Sequence, residues 1–138
     1  MDLNEIIAAL LELPNLIYAT EQASNDIRHT LKQAKADLEE RQNTIALSRD
    51  AKTWGSNEAE RSLNKAQAFA NDALCRRLNG SIVSLENELM ENDALLTKHK
   101  NLFYAYRSVA ELETATLLAN RSVGSAANGV VIAENLGL

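Results

Sequence analysis

The chain has 138 residues, a formal net charge of −5 and 46% hydrophobic residues, yet only one Trp, three Tyr, two Phe, one Pro and five Gly. That length suits one domain, and a composition led by Ala and Leu with Glu, Lys, Asn and Arg between them is that of long helices and excludes a sheet protein. The acidic balance argues against strong nucleic-acid binding.

The first elements are helical. Asp2-Leu3-Asn4-Glu5 has the form of a capping box, and Leu3, Ile6, Ile7, Leu10 and Leu11 then make one face. Pro14 removes a backbone donor, so it either kinks one helix or starts a second, and residues 1–13 form a short N-terminal segment. From residue 14 to 48 the spacing predicts a first long helix. Its seam steps by three and four through Ile17, Thr20, Ser24, Ile27, Leu31, Ala34, Leu38, Arg41 and Ile45. The seam is small and partly polar, which suits close packing against one or two partner helices and a thin core in an elongated molecule.

Residues 49–56 lose the period and hold Gly55, so they read as a turn. Asn57 with Glu60 then caps a second long helix over 57–120. Its seam runs through Leu63, Gln67, Ala70, Leu74, Leu78, Ile82 and Leu85, and the three steps of four from Ala70 to Ile82 form a stutter. Gly80-Ser81 could end one helix and cap another. The stripe crosses it nearly in phase, which favours a continuous helix bent near 80. From Ser81 to Leu118 the stripe Ile82, Leu85, Leu89, Leu96, Phe103, Tyr106 and Ala110, with Asn92 and His99 in the same seam, has nearly a heptad period.

These elements predict an all-α fold, a long antiparallel coiled-coil hairpin over 1–120 followed by a flexible tail over 121–138. A turn near Thr53 sets Leu31 by Leu74, Ile17 by Leu89 and Leu3 by Phe103. Residues after Tyr106 then overhang with Val109, Leu112, Leu117 and Leu118 uncovered, and Val130-Val131-Ile132 could add a short strand beside a partner.

Chemistry is scarce. His29 and His99 are isolated, and Cys75 has no nearby base. The acidic run Glu86, Glu88, Glu91, Asp93 reads as a solvated face, and there is no phosphate-binding glycine loop. No enzyme activity, cofactor or metal is expected, and a hairpin offers little concavity for an active site. One cysteine allows no internal disulfide and fits a reducing compartment, the acidic start is unlike a secretory signal, and no apolar run reaches the ~20 residues of a membrane span. A cytoplasmic protein with no membrane partner is expected.

Two places draw attention. Trp54 sits in the turn near Arg49, Lys52, Arg61 and Lys65, a set that could touch phosphates and stack on a base. The alternative, that Trp54 plugs the helix ends, is preferred because Asp50, Glu58 and Glu60 dilute the charge. Phe103, Tyr104 and Tyr106 stand with Val109, Leu112 and Leu117 at the start of the overhang. One partner helix cannot cover them all, so an interface is expected there.

Gly55-Ser56-Asn57-Glu58-Ala59-Glu60-Arg61 resembles the turn between two long charged helices in small helical proteins of tailed bacteriophages and prophages, and the leucine- and aromatic-rich segment from Leu102 to Leu118 is similar to the end of their second helix. The resemblance spans residues 1–120 and implies an accessory role in phage DNA metabolism, in the bacterial host cytoplasm. From the residues themselves the expected function is a structural or adaptor protein that forms a dimer or higher homo-oligomer and binds another protein. The alternatives are a nucleic-acid accessory using the tip and a helical chaperone.

Overall fold

The computed structural model describes residues 2–135, with side chains described for residues 2–122. It is all-α. Helix α1 spans Leu3–Leu47, α2 Ala51–Trp54, α3 Glu58–Asn71 and α4 Ala73–Asn135. Helices α1 and α4 pack against each other, as the hairpin requires. Two compact units are present. A tip unit comprises Ala19–Leu96, and an end unit combines the chain up to Tyr18 with the chain from Thr97 onward.

Helix α1 begins as a capping box. The Asp2 carboxylate accepts from the Asn4 amide at 3.2 Å, and Glu5 reaches back to the Asp2 amide at 3.4 Å. The helix continues through Pro14, so of the two readings Pro14 stands within one helix and does not start a second. An interior proline costs roughly 3 kcal/mol, but Ile6 and Leu13 are both buried, and their packing holds the helix on either side.

In the tip unit the expected α1 seam is the covered one. Leu31 and Ala34 are buried with Ile82, and Leu38, Leu85 and Leu89 pack around them. The register differs from the expected one. Arg41 meets Asp72 and Ser24 meets Asp93, two to three helical turns beyond the partners that a turn at Thr53 would give. The cause lies at the tip, where α2 folds onto α3 and the connection consumes more residues than an open turn.

The second arm breaks at Asp72, not at Gly80. Asp72 is extended (φ −76°, ψ 126°) between α3 and α4, and its carboxylate caps α4 by accepting from the Cys75 amide at 3.0 Å. The stutter from Ala70 to Ile82 is the sequence trace of this break. Gly80 lies inside α4, and an added Cβ there would meet nothing within 4 Å.

In the end unit Ile6 and Leu13 are buried, and Phe103, Tyr106 and Ala110 are half-buried on α4. Cover therefore reaches Ala110, one turn past the expected start of the overhang at Tyr106. From 111 to 122 every described side chain is exposed. Helix α4 continues to Asn135, through the region expected to be a tail from 121 and through Val130–Ile132, expected as a strand. Glycine and serine cost about 1 kcal/mol or less each in a helix, too little to stop one on composition alone. Residues 136–138 of that segment lie outside the described residues.

Candidate functional site

The tip is built around Trp54. The indole is 1% exposed, its N–H donates to the Ala46 carbonyl at 2.9 Å, and the Arg49 guanidinium lies over the ring at 4.7 Å. The Asn64 amide donates to the Trp54 carbonyl. Gly55 (φ +157°) follows, and a Cβ there would stand 2.9 Å from the Arg61 backbone nitrogen, so only glycine lets α3 start so close. Asn57 accepts from the Glu60 amide at 2.8 Å, as its cap spacing predicts, and Glu60 in turn accepts from the Ser56 hydroxyl at 2.8 Å.

This arrangement turns Trp54 inward, so it offers no open ring to a base. Arg49 lies over the ring and is itself exposed, as is Lys52, whereas Arg61 reaches the Gly55 carbonyl at 3.5 Å and Lys65 is half-buried.

A second cluster lies at the α3–α4 break. Arg41 holds Asp72 through two bonds, at 2.7 and 3.1 Å. The guanidinium, together with the Cys75 amide, keeps the Asp72 carboxyl well below the usual carboxylate range. Cys75 is fully buried, and burial, with the neighbouring carboxylate, pushes its thiol up. A thiol so placed is no nucleophile near neutral pH.

A third cluster bridges α1 and α4 within the seam. The Asn92 side-chain amide donates to the Thr20 carbonyl at 2.9 Å and to the Ser24 hydroxyl at 2.7 Å. Ser24, itself 0% exposed, donates to Asp93 at 2.7 Å, and Arg28 grips the same carboxylate at 2.9 and 3.1 Å. Such a chain of satisfied polar groups fixes register, since a slip by one turn would strand every member.

These clusters hold the fold. An open groove of about 740 Å³ over Ala34, Gly80, Ser81 and Ser84 carries only Asp37 and Arg77 as charged lining. Among the described residues no group of three or more His, Cys, Asp or Glu could hold a metal ion. Nor is any helix among them long and apolar enough to cross a membrane.

The end unit differs in kind. His99 lies on its α4 seam with Nδ1 buried and without a hydrogen-bond partner. Of the expected interface residues, Phe103 and Tyr106 are half-buried within the chain's own seam, whereas Tyr104, Val109, Leu112 and Leu117 are exposed. Phe103 and Tyr104 meet edge to face, with ring centroids 6.0 Å apart. The single α1 face expected from Leu3, Ile6, Ile7, Leu10 and Leu11 divides, with Ile6 buried and Leu10 half-buried but Leu3, Ile7 and Leu11 exposed, the last at 73%. Tyr18, 66% exposed and not singled out by the sequence, continues the exposed line. Comparison with known protein families, with curated proteins and with solved structures finds no match for this chain.

Proposed function

We infer that this is a non-enzymatic helical-hairpin protein that self-associates and holds another protein through its end unit, working in the cytoplasm. One observation carries the reading. Most of the exposed large apolar side chains among the described residues lie in residues 3–18 and 97–118, with Leu112 at 69% and Tyr104 and Leu117 at 58%, while Leu47, Leu63, Val83, Met90 and Leu95 are scattered through the tip unit. Patches of that kind mark interaction surfaces, and fully burying one such side chain contributes about 1.5–3 kcal/mol. A few of them outweigh much of the entropic cost of association. The reading is preferred to nucleic-acid contact at the tip because the Trp54 ring is already covered. The resemblance to small phage proteins supplies a setting, an accessory to phage DNA metabolism that works by holding proteins together.

Light scattering tests it. The wild type is expected to be oligomeric at tens of micromolar, and a Val109→Asp, Leu112→Asp double variant monomeric with its helix content kept. A monomeric wild type, or an oligomer indifferent to the double substitution, overturns the reading.

A further inference from the structure

Within the tip unit the two flanks of the α1–α4 seam differ. On a helix, the residues one place before and one place after a seam position stand on opposite sides of it. Arg28 and Lys35 follow the seam residues Ile27 and Ala34, and they reach across to Asp93 at 2.9 Å and to Glu86 at 3.8 Å, which closes that flank. Ala23, Thr30 and Asp37 precede the seam residues Ser24, Leu31 and Leu38, and an open groove runs along their flank. Its wider part, over Ala34, Gly80, Ser81 and Ser84, holds about 740 Å³. One turn further, between Ile27 and Leu95, it continues with about 460 Å³.

We propose that this groove seats a basic amphipathic helix of another protein, laid along the hairpin as a third helix. The site is apart from the apolar end-unit patch and does not depend on self-association.

Shape calls for a helix. Ile27, Leu78 and Leu85 are half-buried and Ala34 is buried, so the floor is apolar and already fixed by the seam. Thr30, Gly80, Ser81 and Ser84 keep the walls low, which lets a further helix axis come close. From Arg77 to Leu95 the α4 wall is roughly 27 Å long, room for a helix of about 18 residues. An amphipathic helix that lays its apolar stripe into such a groove is a recurrent mode of peptide recognition.

Charge names the kind of helix. Asp26, Glu88 and Glu91 line the narrower part; all three are exposed, and none is in an ion pair with another described residue. The wider part adds Asp37 and Arg77. Carboxylates therefore dominate the rim, most of all at the Glu88–Leu95 end, and an occupant needs Lys or Arg beside its apolar stripe. An acidic helix would meet like charge, and a neutral one would take water from carboxylates and return nothing. A second copy is disfavoured on the same ground. It carries a net charge of −5, and its exposed Leu112 is flanked by Glu111 and Glu113. Nucleic acid is repelled outright.

The test uses a fluorescent helical peptide of about 18 residues with Leu and Ala along one line and Lys on both sides of it. Its anisotropy should saturate at one peptide per chain, and a twin with Glu in place of Lys should not bind. Asp26→Lys, Glu88→Lys and Glu91→Lys together should weaken binding at least about tenfold. Glu12→Lys, Glu39→Lys and Glu113→Lys change the net charge equally, away from the groove, and should weaken it less than about threefold. Ser84→Phe fills the floor without touching charge and should also cost at least about tenfold. Circular dichroism checks that each variant keeps its helix content, as expected for exposed positions. No binding of the Lys peptide at about 100 µM overturns the proposal. So does equal weakening by both charge triples, which marks attraction to net charge alone, and so does indifference to Ser84→Phe. A spin label at Ser81→Cys that becomes immobile when the protein alone is concentrated also overturns it, because a second copy then fills the groove.

Discussion

The two units use the same pair of helices in opposite ways. In the tip unit, between Ala19 and Leu96, polar side chains of α1 are paired across the seam. Ser24 and Arg28 bind Asp93, Arg41 binds Asp72, and Trp54 closes the turn. In the end unit the seam holds Ile6 and Leu13, the His99 Nδ1 has no partner, and Leu11, Tyr18, Tyr104 and Leu112 stand in solvent. Satisfied polar pairs specify one arrangement and leave little to recruit a partner, whereas uncovered apolar side chains do the reverse. On the proposed reading the tip unit serves the stability of the chain and the end unit what the chain meets, although the tip unit also leaves Leu47, Leu63 and Met90 exposed and one flank of its seam open.

That contrast can be broken by substitutions in the tip unit that move stability and leave association alone. Trp54→Ala has the largest expected effect. It removes a fully buried indole and its bond to Ala46, and unfolding in urea should become easier by about 3–5 kcal/mol. That is a large share of the stability of a small domain, yet the oligomeric state of the folded molecules should not change. If the oligomer dissociates with it, the units are not separable in function.

Next is Asn92→Ala. It leaves Ser24 and the Thr20 carbonyl short of a donor inside the seam, for a loss of about 1–3 kcal/mol by the same measurement. A change near zero would mean that the polar seam specifies nothing.

The smallest effect has the opposite sign. Gly80 is helical, and a Cβ would meet only open space, so Gly80→Ala should raise the unfolding free energy by about 0.5–1 kcal/mol. Loss of stability instead would show that the groove beside Gly80 is occupied in solution.

The sequence made the pattern of α1 from Ile17 onward and of α4 legible, because periodicity is a local property, but not that of α3, whose expected seam residues Leu63, Gln67 and Ala70 are exposed. Every α1 seam residue expected from Ile17 to Ile45 is buried or half-buried, and so are the α4 seam residues from Ile82 to Ala110. The register was not legible, since it depends on how α2 folds onto α3. The break at Asp72 was visible only as a stutter, because its stabilising partner, Arg41, lies 31 residues away. At the candidate site, Tyr104, Val109, Leu112 and Leu117 could be found by asking what the hairpin fails to cover. Phe103 and Tyr106 lie in the seam where periodicity also sets them, and only the expectation that one helix could not cover the neighbouring aromatics draws them into the interface. Trp54 follows the preferred reading, a plug, made with the Ala46 carbonyl.

The sequence distance between bonded partners has a consequence in time. Trp54 and Ala46 are 8 residues apart, Arg41 and Asp72 31, and Ser24 and Asp93 69. Each doubling of a loop adds only about 0.6 kcal/mol to the entropy of closing it, but the short closures come first. The hairpin should zip from Trp54 outward. During synthesis the order is harsher still, because Ile6 and Leu13 leave the ribosome well before the end-unit stretch of α4 from Thr97 onward. In that interval the nascent chain carries an uncovered greasy segment, available to a chaperone or to the same segment of a neighbouring chain on the same message.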